Sequence, residues 1–169
     1  GFGHYAKLQT LQDLPSEDIL LVPFVNAAFW MIPTRVLQKV GGFCPLFYHY
    51  GEDKDFVNRL HYHQYQVGYS PQVFGNHDRE YRPSTHEGFL RTESVYHLSE
   101  YVNINHPWLK AFGYGVLAVM KKALASLISG KFQLSKDYLR MGFQLLSRST
   151  EIQSYRKINR LSQPHYIQK

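Results

Sequence analysis

Three carboxylates stand close together in the chain, as Glu52, Asp53 and Asp55. They follow Gly51, and the apolar residues after them have helical spacing, which predicts a helix from about Lys54 to Tyr65. The N–H groups and the dipole of a helix N-terminus favour ionised carboxylates, whereas neighbouring negative charges oppose ionisation. Such a carboxylate can act as a general base or simply cap the helix. For an isolated acidic helix start, capping is the usual role, and Asp55 is expected to cap or pair locally.

Histidines are the second group of residues that could do chemistry, because they bind metals and titrate near neutral pH. His77 follows a strand-like segment, and Arg82 lies five residues further on. A surface histidine in a charged turn is the alternative interpretation of His77. His61 and His63 are two residues apart on the predicted helix, so they point to different faces and cannot chelate one ion together. His61 and His63 are therefore expected on a solvated helix surface.

The segments around the carboxylates predict both strands and helices. Residues 24–33 (FVNAAFWMIP) form a dense apolar run closed by proline, which indicates a buried strand. A short helix is predicted over residues 35–40, ended by Gly41 and Gly42. Residues 66–74 predict another strand or an extended edge.

The second half of the chain is helical in pattern. Ser84 and Glu87 have the spacing of a capping box, which predicts the start of a helix over residues 88–102. Two further helices are predicted over residues 108–129 and over residues 134–146 or further.

Charge divides the chain near residues 106 and 107. The 169 residues suffice for one core-forming domain with an appendage, and a hydrophobic content of 44% argues against disorder. Residues 1–106 contain 8 Lys and Arg against 11 Asp and Glu, a net charge of −3, whereas residues 107–169 contain 11 against 2, a net charge of +9. We therefore predict two regions, 1–106 and 107–169, of which the second meets an anionic partner.

Composition also bears on the cellular compartment. The single cysteine, Cys44, excludes a disulfide within the chain and is expected to be a buried, inert thiol. No signal-peptide pattern is visible, and the longest apolar candidate for a membrane span, from Trp108 to Met120, is interrupted by Lys110 and falls short of about 20 residues. We expect a cytoplasmic protein, peripheral at the inner face of the membrane.

Four features in chain order carry a resemblance to a known family. They are Asn26-Ala27-Ala28 running into Pro33-Thr34-Arg35, then Val40-Gly41-Gly42-Phe43, then Tyr50-Gly51-Glu52-Asp53-Lys54-Asp55 leading to Arg59-Leu60, and finally Val67-Gly68-Tyr69-Ser70-Pro71 leading to His77. Their order and spacing resemble the C-terminal, acceptor-side half of family 2 glycosyltransferases of the GT-A type. The resemblance covers roughly the first half of the chain. It implies an α/β fold, a partial GT-A domain over residues 1–106, followed by a mostly helical basic tail.

The resemblance also implies a reaction. These enzymes transfer a sugar from a nucleotide-sugar donor to an acceptor hydroxyl, with inversion at the anomeric carbon. A hydroxyl is a poor nucleophile, so a carboxylate must take its proton as it attacks. In the family this base is the aspartate of the Glu-Asp pair, here Asp53, and Glu52 is expected to bind an acceptor hydroxyl. Asn26, Tyr50 and Arg82 are assigned to acceptor or donor binding, Arg82 as a bidentate partner of the diphosphate.

A divalent metal belongs to the same expectation. His77 takes the place of a family histidine that helps to hold the metal, and imidazole with carboxylates suits Mn²⁺ better than Mg²⁺, although either is compatible. The family's Asp-x-Asp metal motif ends an N-terminal nucleotide-binding half that has no counterpart in this sequence. Asp53-Lys54-Asp55 has its letters but lies in the context of the base. The resemblance therefore implies a truncated enzyme, inactive alone, which binds donor and metal only together with that half.

Partners follow from the same observations. A nucleotide-sugar donor and a glycan or lipid-linked acceptor are expected, with an anionic membrane surface for the basic tail. An uncovered strand edge over residues 26–33 predicts a homodimer. We expect no nucleic acid, although Tyr138, Phe143 and Tyr155 among the basic residues leave a nucleic-acid-binding module as one alternative. A noncatalytic helical interaction domain is the other.

Overall fold

The structure is a computed structural model that describes residues 19–48, 50–70, 72 and 85–167. Helices account for 61% of these residues, and the rest of their regular structure is one two-stranded sheet. In chain order the elements are β1 (Leu20–Val22), α1 (Thr34–Val40), α2 (Glu52–Tyr62), β2 (Val67–Tyr69), α3 (His86–Val102), α4 (Trp108–Ile128), α5 (Phe132–Ser147) and α6 (Ser149–Asn159).

The expected α/β fold, a partial GT-A domain, is wrong for the part of the chain that the structure describes. The sheet there is a single antiparallel pair, in which Leu20 lies opposite Tyr69 and Val22 opposite Val67. Three-residue strands of this kind cannot build the sheet of an α/β domain, whose layers need several neighbouring strands covered by helices. Helix packing, not sheet formation, buries most of the apolar side chains.

The predicted strand over residues 24–33 does not form. Its backbone bends and turns between two prolines, and Met31 is 98% exposed. The indole N–H of Trp30 donates to the Asn26 carbonyl at 3.1 Å, and the Trp30 ring packs against Phe43 and Phe56. Trp30 and Ile32 thus pack the segment against the rest of the molecule, while Phe29 and Met31 are exposed. The predicted homodimer therefore loses the strand edge on which it was based, and stays a prediction.

Helices α1 and α2 are confirmed, with shifted ends. Gly41 has a φ of +82°, and its N–H donates to the Leu37 carbonyl at 2.8 Å, so α1 ends where the double glycine predicts. Helix α2 starts at Glu52 and ends at Tyr62, two residues before the expected start and three before the expected end. One small apolar cluster joins the two helices through Val36, Val40, Phe56 and Leu60.

Helices α3 to α6 form the larger core. Thr85 caps α3 by accepting a hydrogen bond from the Gly88 N–H at 3.0 Å; Ser84, the predicted cap, lies outside the described residues. Helix α4 contains a wider π-helical turn over residues 113–117, whose Tyr114 carbonyl lies 2.8 Å from Nδ1 of the buried His97. Helices α4 and α5 form an antiparallel hairpin, joined by a turn in which Gly130 has a φ of +72°.

Buried residues from both sides of residue 106 belong to this one core. Cys44 and Phe47 from the first region pack with residues of α3, α4, α5 and α6. The buried Arg156 of α6 donates to the carbonyls of Tyr101, Asn103 and His106. The division into regions 1–106 and 107–169 stays a prediction from charge.

Helix α4 bears on the expectation that the chain has no membrane span, without deciding it. It has 21 residues and an 18-residue window with a mean hydropathy of 1.4, so by length and composition alone it is able to cross a membrane. One third of its most apolar window is buried inside the molecule. Core helices of soluble proteins meet the same criteria, so this finding alone does not place α4 in a membrane.

Candidate active site

The start of α2 is set by two residues in the left-handed region of backbone space. Tyr50 has a φ of 69° and Gly51 a φ of 89°, which turn the chain sharply into the helix. A Cβ atom at Gly51 would lie 2.6 Å from Cγ1 of Val95 on α3. Glycine is therefore required here for conformation and for space, and it brings the carboxylates that follow close to α3.

Asp53 presents a partly buried carboxylate at this helix start. Its Oδ1 accepts a hydrogen bond from the Lys54 N–H at 2.7 Å. The Lys54 ammonium forms no ion pair with the Asp53 carboxylate. It binds Glu100 of α3 at 2.7 Å and lies 4.6 Å from the ring centroid of Tyr96. No ion pair of Asp53 occurs within the described ranges. The neighbouring cation therefore does not neutralise the carboxylate.

Glu52 has an oxygen that the surrounding protein leaves unsatisfied. Its Oε2 is buried and has no hydrogen-bond partner among the residues described. A buried carboxylate oxygen without a donor is costly, so a donor from outside the chain would stabilise it. A sugar hydroxyl is one group able to serve, which fits the expected contact of Glu52 with an acceptor.

Asp55 and Arg59 form a buried ion pair one helical turn apart. Arg59 Nε lies 2.8 Å from Asp55 Oδ2, and their side chains are 0% and 2% exposed. The other guanidinium nitrogens donate to the carbonyls of Val40 and Gly42, both at 2.7 Å. The interpretation of Asp55 as a locally paired residue is confirmed. Through Arg59, α2 is fixed to the end of α1.

Burial shifts the pKa values of Asp55 and of the neighbouring Cys44 thiol. Burial raises the pKa of Asp55, and the guanidinium of Arg59 opposes that rise. Burial, reinforced by the charge of Asp55, raises the pKa of the Cys44 thiol to about 12. Cys44 is therefore a buried thiol rather than a nucleophile, as expected from the sequence.

Residues 165 and 166, near the C-terminus, pack against Gly41 and Gly42. The Gly42 N–H donates to the His165 carbonyl at 2.8 Å, and a Cβ atom at Gly42 would lie 2.7 Å from the carbonyl oxygen of Tyr166. The ring of Tyr166 lies over the guanidinium of Arg59 at 5.8 Å. The double glycine thus serves a close approach between backbones as well as ending α1.

A groove lies beside the start of α2. It has a volume of about 410 Å³ and is lined by Leu46, Phe47, Tyr48, Tyr50, Arg91, Val95 and Leu98. Tyr48 is fully exposed and Tyr50 is 43% exposed. Aromatic faces with one guanidinium are suited to a ligand that is partly apolar and partly hydrogen bonding.

The predicted site residues fall into three groups. Tyr50 lines the groove, and Glu52 and Asp53 follow it in the first turn of α2. Asn26 is exposed in the bent segment before α1, and no described contact joins it to the carboxylates. His77 and Arg82 lie outside the described residues.

The expected Mn²⁺ or Mg²⁺ site has no ligand set in the part of the chain that the structure describes. No three histidine, cysteine or carboxylate side chains there form a group able to hold an ion. The one predicted metal ligand, His77, is outside it. The metal therefore stays a prediction, and the chemistry proposed below has no step that depends on it.

Sequence reasoning missed three contributors to the site. Arg59 entered only as part of a motif, although its spacing of four residues from Asp55 is the helical signal for an ion pair. Tyr48 and Arg91 line the groove, and no sequence motif singles them out. Arg91 comes from α3, and no local pattern links it to the loop before α2.

Comparison of the chain with protein-family models, with curated proteins and with solved structures gives no match. Its function must therefore be inferred from its own residues and their contacts.

Proposed function

We propose that this chain carries the acceptor site and catalytic base of an inverting glycosyltransferase of the family 2 type, with Asp53 as the base. The observation that carries the proposal is the position of Asp53 in the first turn of α2, three residues after Tyr50, which belongs to both the aromatic groove and the turn before the helix. The ordered motifs from Asn26 to His77 support the same reaction. The nucleotide-sugar donor would be bound by a nucleotide-binding part, for which the described residues offer no counterpart.

Each residue of the site has a role in this proposal. The faces of Tyr48 and Tyr50 stack against the C–H face of a sugar ring, and Arg91 donates hydrogen bonds to ring substituents. Glu52 accepts a hydrogen bond from an acceptor hydroxyl. Asp53 takes the proton of the attacking hydroxyl as its oxygen bonds to the anomeric carbon and the nucleoside diphosphate leaves.

The buried ion pair has a supporting role. Asp55 and Arg59 touch no acceptor in this proposal; they hold the start of α2 against Val40 and Gly42 so that Asp53 keeps its position. Small displacements of a catalytic group are costly for rate, which is why a rigid attachment matters.

Acceptor binding can be tested on the chain alone. Saturation-transfer NMR with a panel of soluble oligosaccharides should detect binding, and Tyr50→Ala should weaken it by about tenfold or more. Glu151→Gln, a change of an exposed carboxylate on α6 whose ion-pair partner is Arg148, serves as the control and should leave binding unchanged. Binding by none of the sugars, or equal binding by Tyr50→Ala, would count against the groove as the acceptor site.

A further inference from the structure

The α4–α5 hairpin exposes a continuous set of large apolar side chains, here called the hairpin face. Its members are Leu117, Leu124, Ile128, Phe132, Leu139 and Phe143, all between 39% and 78% exposed. Along each helix they recur at intervals of seven and four residues, which places them on one stripe per helix. They face outward although α4 and α5 bury their opposite sides in the core.

Both stripes lie on the side of the hairpin away from α3. Lys122 of α4 and Tyr138 of α5 both contact Glu93 of α3, and so mark the sides of the two helices that face it. At 3.6 residues per turn, Leu124 points about 160° away from Lys122, and Phe143 about 140° away from Tyr138. Both stripes therefore point away from α3.

Basic side chains accompany this surface. The hairpin, residues 108–147, contains six Lys and Arg against one acidic residue, Asp137. Asp137 is already held by His86 at 3.0 Å. Lys121, Lys131 and Lys136 are exposed, and none of them forms an ion pair with any described residue. Lys121 and Lys136 share the helical stripes of the apolar residues, and Lys131 lies in the turn between the helices.

We propose that the hairpin face docks on an anionic lipid bilayer, with its leucine, isoleucine and phenylalanine side chains at the boundary between headgroups and acyl chains. Lys121, Lys131 and Lys136 then reach lipid phosphates at the same surface. Apolar insertion and electrostatic attraction are the two contributions by which a helix lying in a membrane interface binds. This inference rests on the hairpin face alone and does not depend on the proposed transferase activity.

A second copy of the chain fits the hairpin face less well. Two-fold pairing through this surface brings the same lysines towards each other without acidic partners, and like charges brought together oppose association. A nucleic acid would meet the lysines, but it offers little to exposed leucines and an isoleucine. An anionic bilayer offers negative charge to the lysines and an apolar interior to the leucine, isoleucine and phenylalanine side chains.

The packing of α4 favours a helix that lies on the membrane over a helix that crosses the membrane. The buried side of α4 includes Val119 and Ala123, which pack in the core, and the Ala123 carbonyl accepts a hydrogen bond from the hydroxyl of Ser135 at 2.8 Å. Crossing the bilayer would remove these contacts, whereas docking of the outer side keeps them all.

Vesicle flotation of the full chain tests the proposal. Binding should be strong to vesicles of phosphatidylcholine with phosphatidylglycerol, weak to phosphatidylcholine alone, and reduced by salt. The combined change Lys121→Gln, Lys131→Gln and Lys136→Gln should weaken partitioning by about a hundredfold, at about fivefold for each charge. Phe132→Ser with Phe143→Ser should weaken it by at least about tenfold.

Matched controls keep the test specific. Lys39→Gln removes an exposed charge from α1, and Met31→Ser removes an apolar side chain that is 98% exposed outside the hairpin. Both should bind vesicles like the unaltered chain. Circular dichroism confirms that each variant is folded before it is compared.

Four results would overturn the proposal. The first is equal binding to charged and uncharged vesicles, or no binding to either. The second is vesicle binding that the hairpin variants leave unchanged. The third is light scattering that shows a dimer which Phe132→Ser with Phe143→Ser dissociates, because the hairpin face would then meet a second copy. Preferential, salt-sensitive binding to oligonucleotides over anionic vesicles would favour a nucleic acid and likewise reject the lipid surface.

Discussion

Replacing Arg59 by methionine is the most informative perturbation of the buried architecture under the candidate site. The Arg59 side chain is fully buried and makes hydrogen bonds to Asp55, Val40 and Gly42 at 2.7 to 2.8 Å. Methionine retains much of the apolar contact with Phe56 but supplies no charge and no donor.

The free-energy cost of Arg59→Met comes from the buried polar groups that lose Arg59 as their partner. A buried Asp55 carboxylate loses its counter-ion, and breaking a buried pair in this way costs about 3–5 kcal/mol. Two carbonyls also lose a donor, at about 1 kcal/mol each, although such costs do not add fully. We expect the free energy of unfolding to fall by about 4 kcal/mol. Asp55→Leu added to Arg59→Met should recover at least half of that loss, because no buried charge then remains.

Urea unfolding followed by circular dichroism measures these changes. Arg91→Met provides a matched control, since Arg91 also pairs with a carboxylate four residues away, Glu87 at 3.6 Å, but both side chains are more than half exposed. It should cost less than about 0.5 kcal/mol. A loss below about 1.5 kcal/mol for Arg59→Met, or no recovery on adding Asp55→Leu, would refute the reasoning.

Three further predictions concern the residues packed around this pair. Gly42→Ala should destabilise the protein by about 1–3 kcal/mol in urea unfolding, because its Cβ would meet the Tyr166 carbonyl, a backbone atom that cannot rotate away; an unchanged midpoint would contradict this close approach. Burial lowers the pKa of His165 from 6.5 to about 4, so the unfolded chain binds a proton that the folded protein refuses between those values. Stability should therefore fall by about 1–2 kcal/mol as the pH drops through that window, after allowance for solvent screening, and His165→Gln should remove this part of the pH dependence. The Cys44 thiol, with a pKa raised to about 12, should react with a thiol reagent only in the unfolded protein, and rapid reaction of the native protein would show that it is not buried.

The helices could be predicted from the sequence because their signals are local. Apolar residues at helical spacing identified α2 to α5, and Gly41 with Gly42 located the end of α1. Even so, α2 begins at Glu52 rather than near Lys54, since the left-handed turn at Tyr50 and Gly51 allows the helix to start directly after it.

The strand over residues 24–33 was predicted wrongly for a physical reason. A short apolar run indicates burial, but periodicity alone does not say whether a partner strand exists. Here Trp30 anchors the segment on Phe43 and Phe56 and leaves Met31 in solvent. The predicted α/β fold class depended on that strand and on the family resemblance. It is wrong for the described residues because the strand does not form there.

The candidate site was predictable only in part. Tyr50, Glu52 and Asp53 are neighbours in the sequence, so their common position could be predicted. Arg91 and the Tyr166 segment reach the site from distant parts of the chain, and such contacts leave no local pattern.

Sugar transfer by Asp53→Asn tests the central claim most directly. Transfer from uridine, guanosine and thymidine diphosphate sugars to soluble glycans and membrane glycolipids would be measured with the nucleotide-binding part supplied. The proposed role predicts that Asp53→Asn lowers kcat by at least about a hundredfold with unchanged urea unfolding, whereas Glu151→Gln on α6 retains full activity. Equal rates for Asp53→Asn and the unaltered protein would contradict the account of Asp53 as the base.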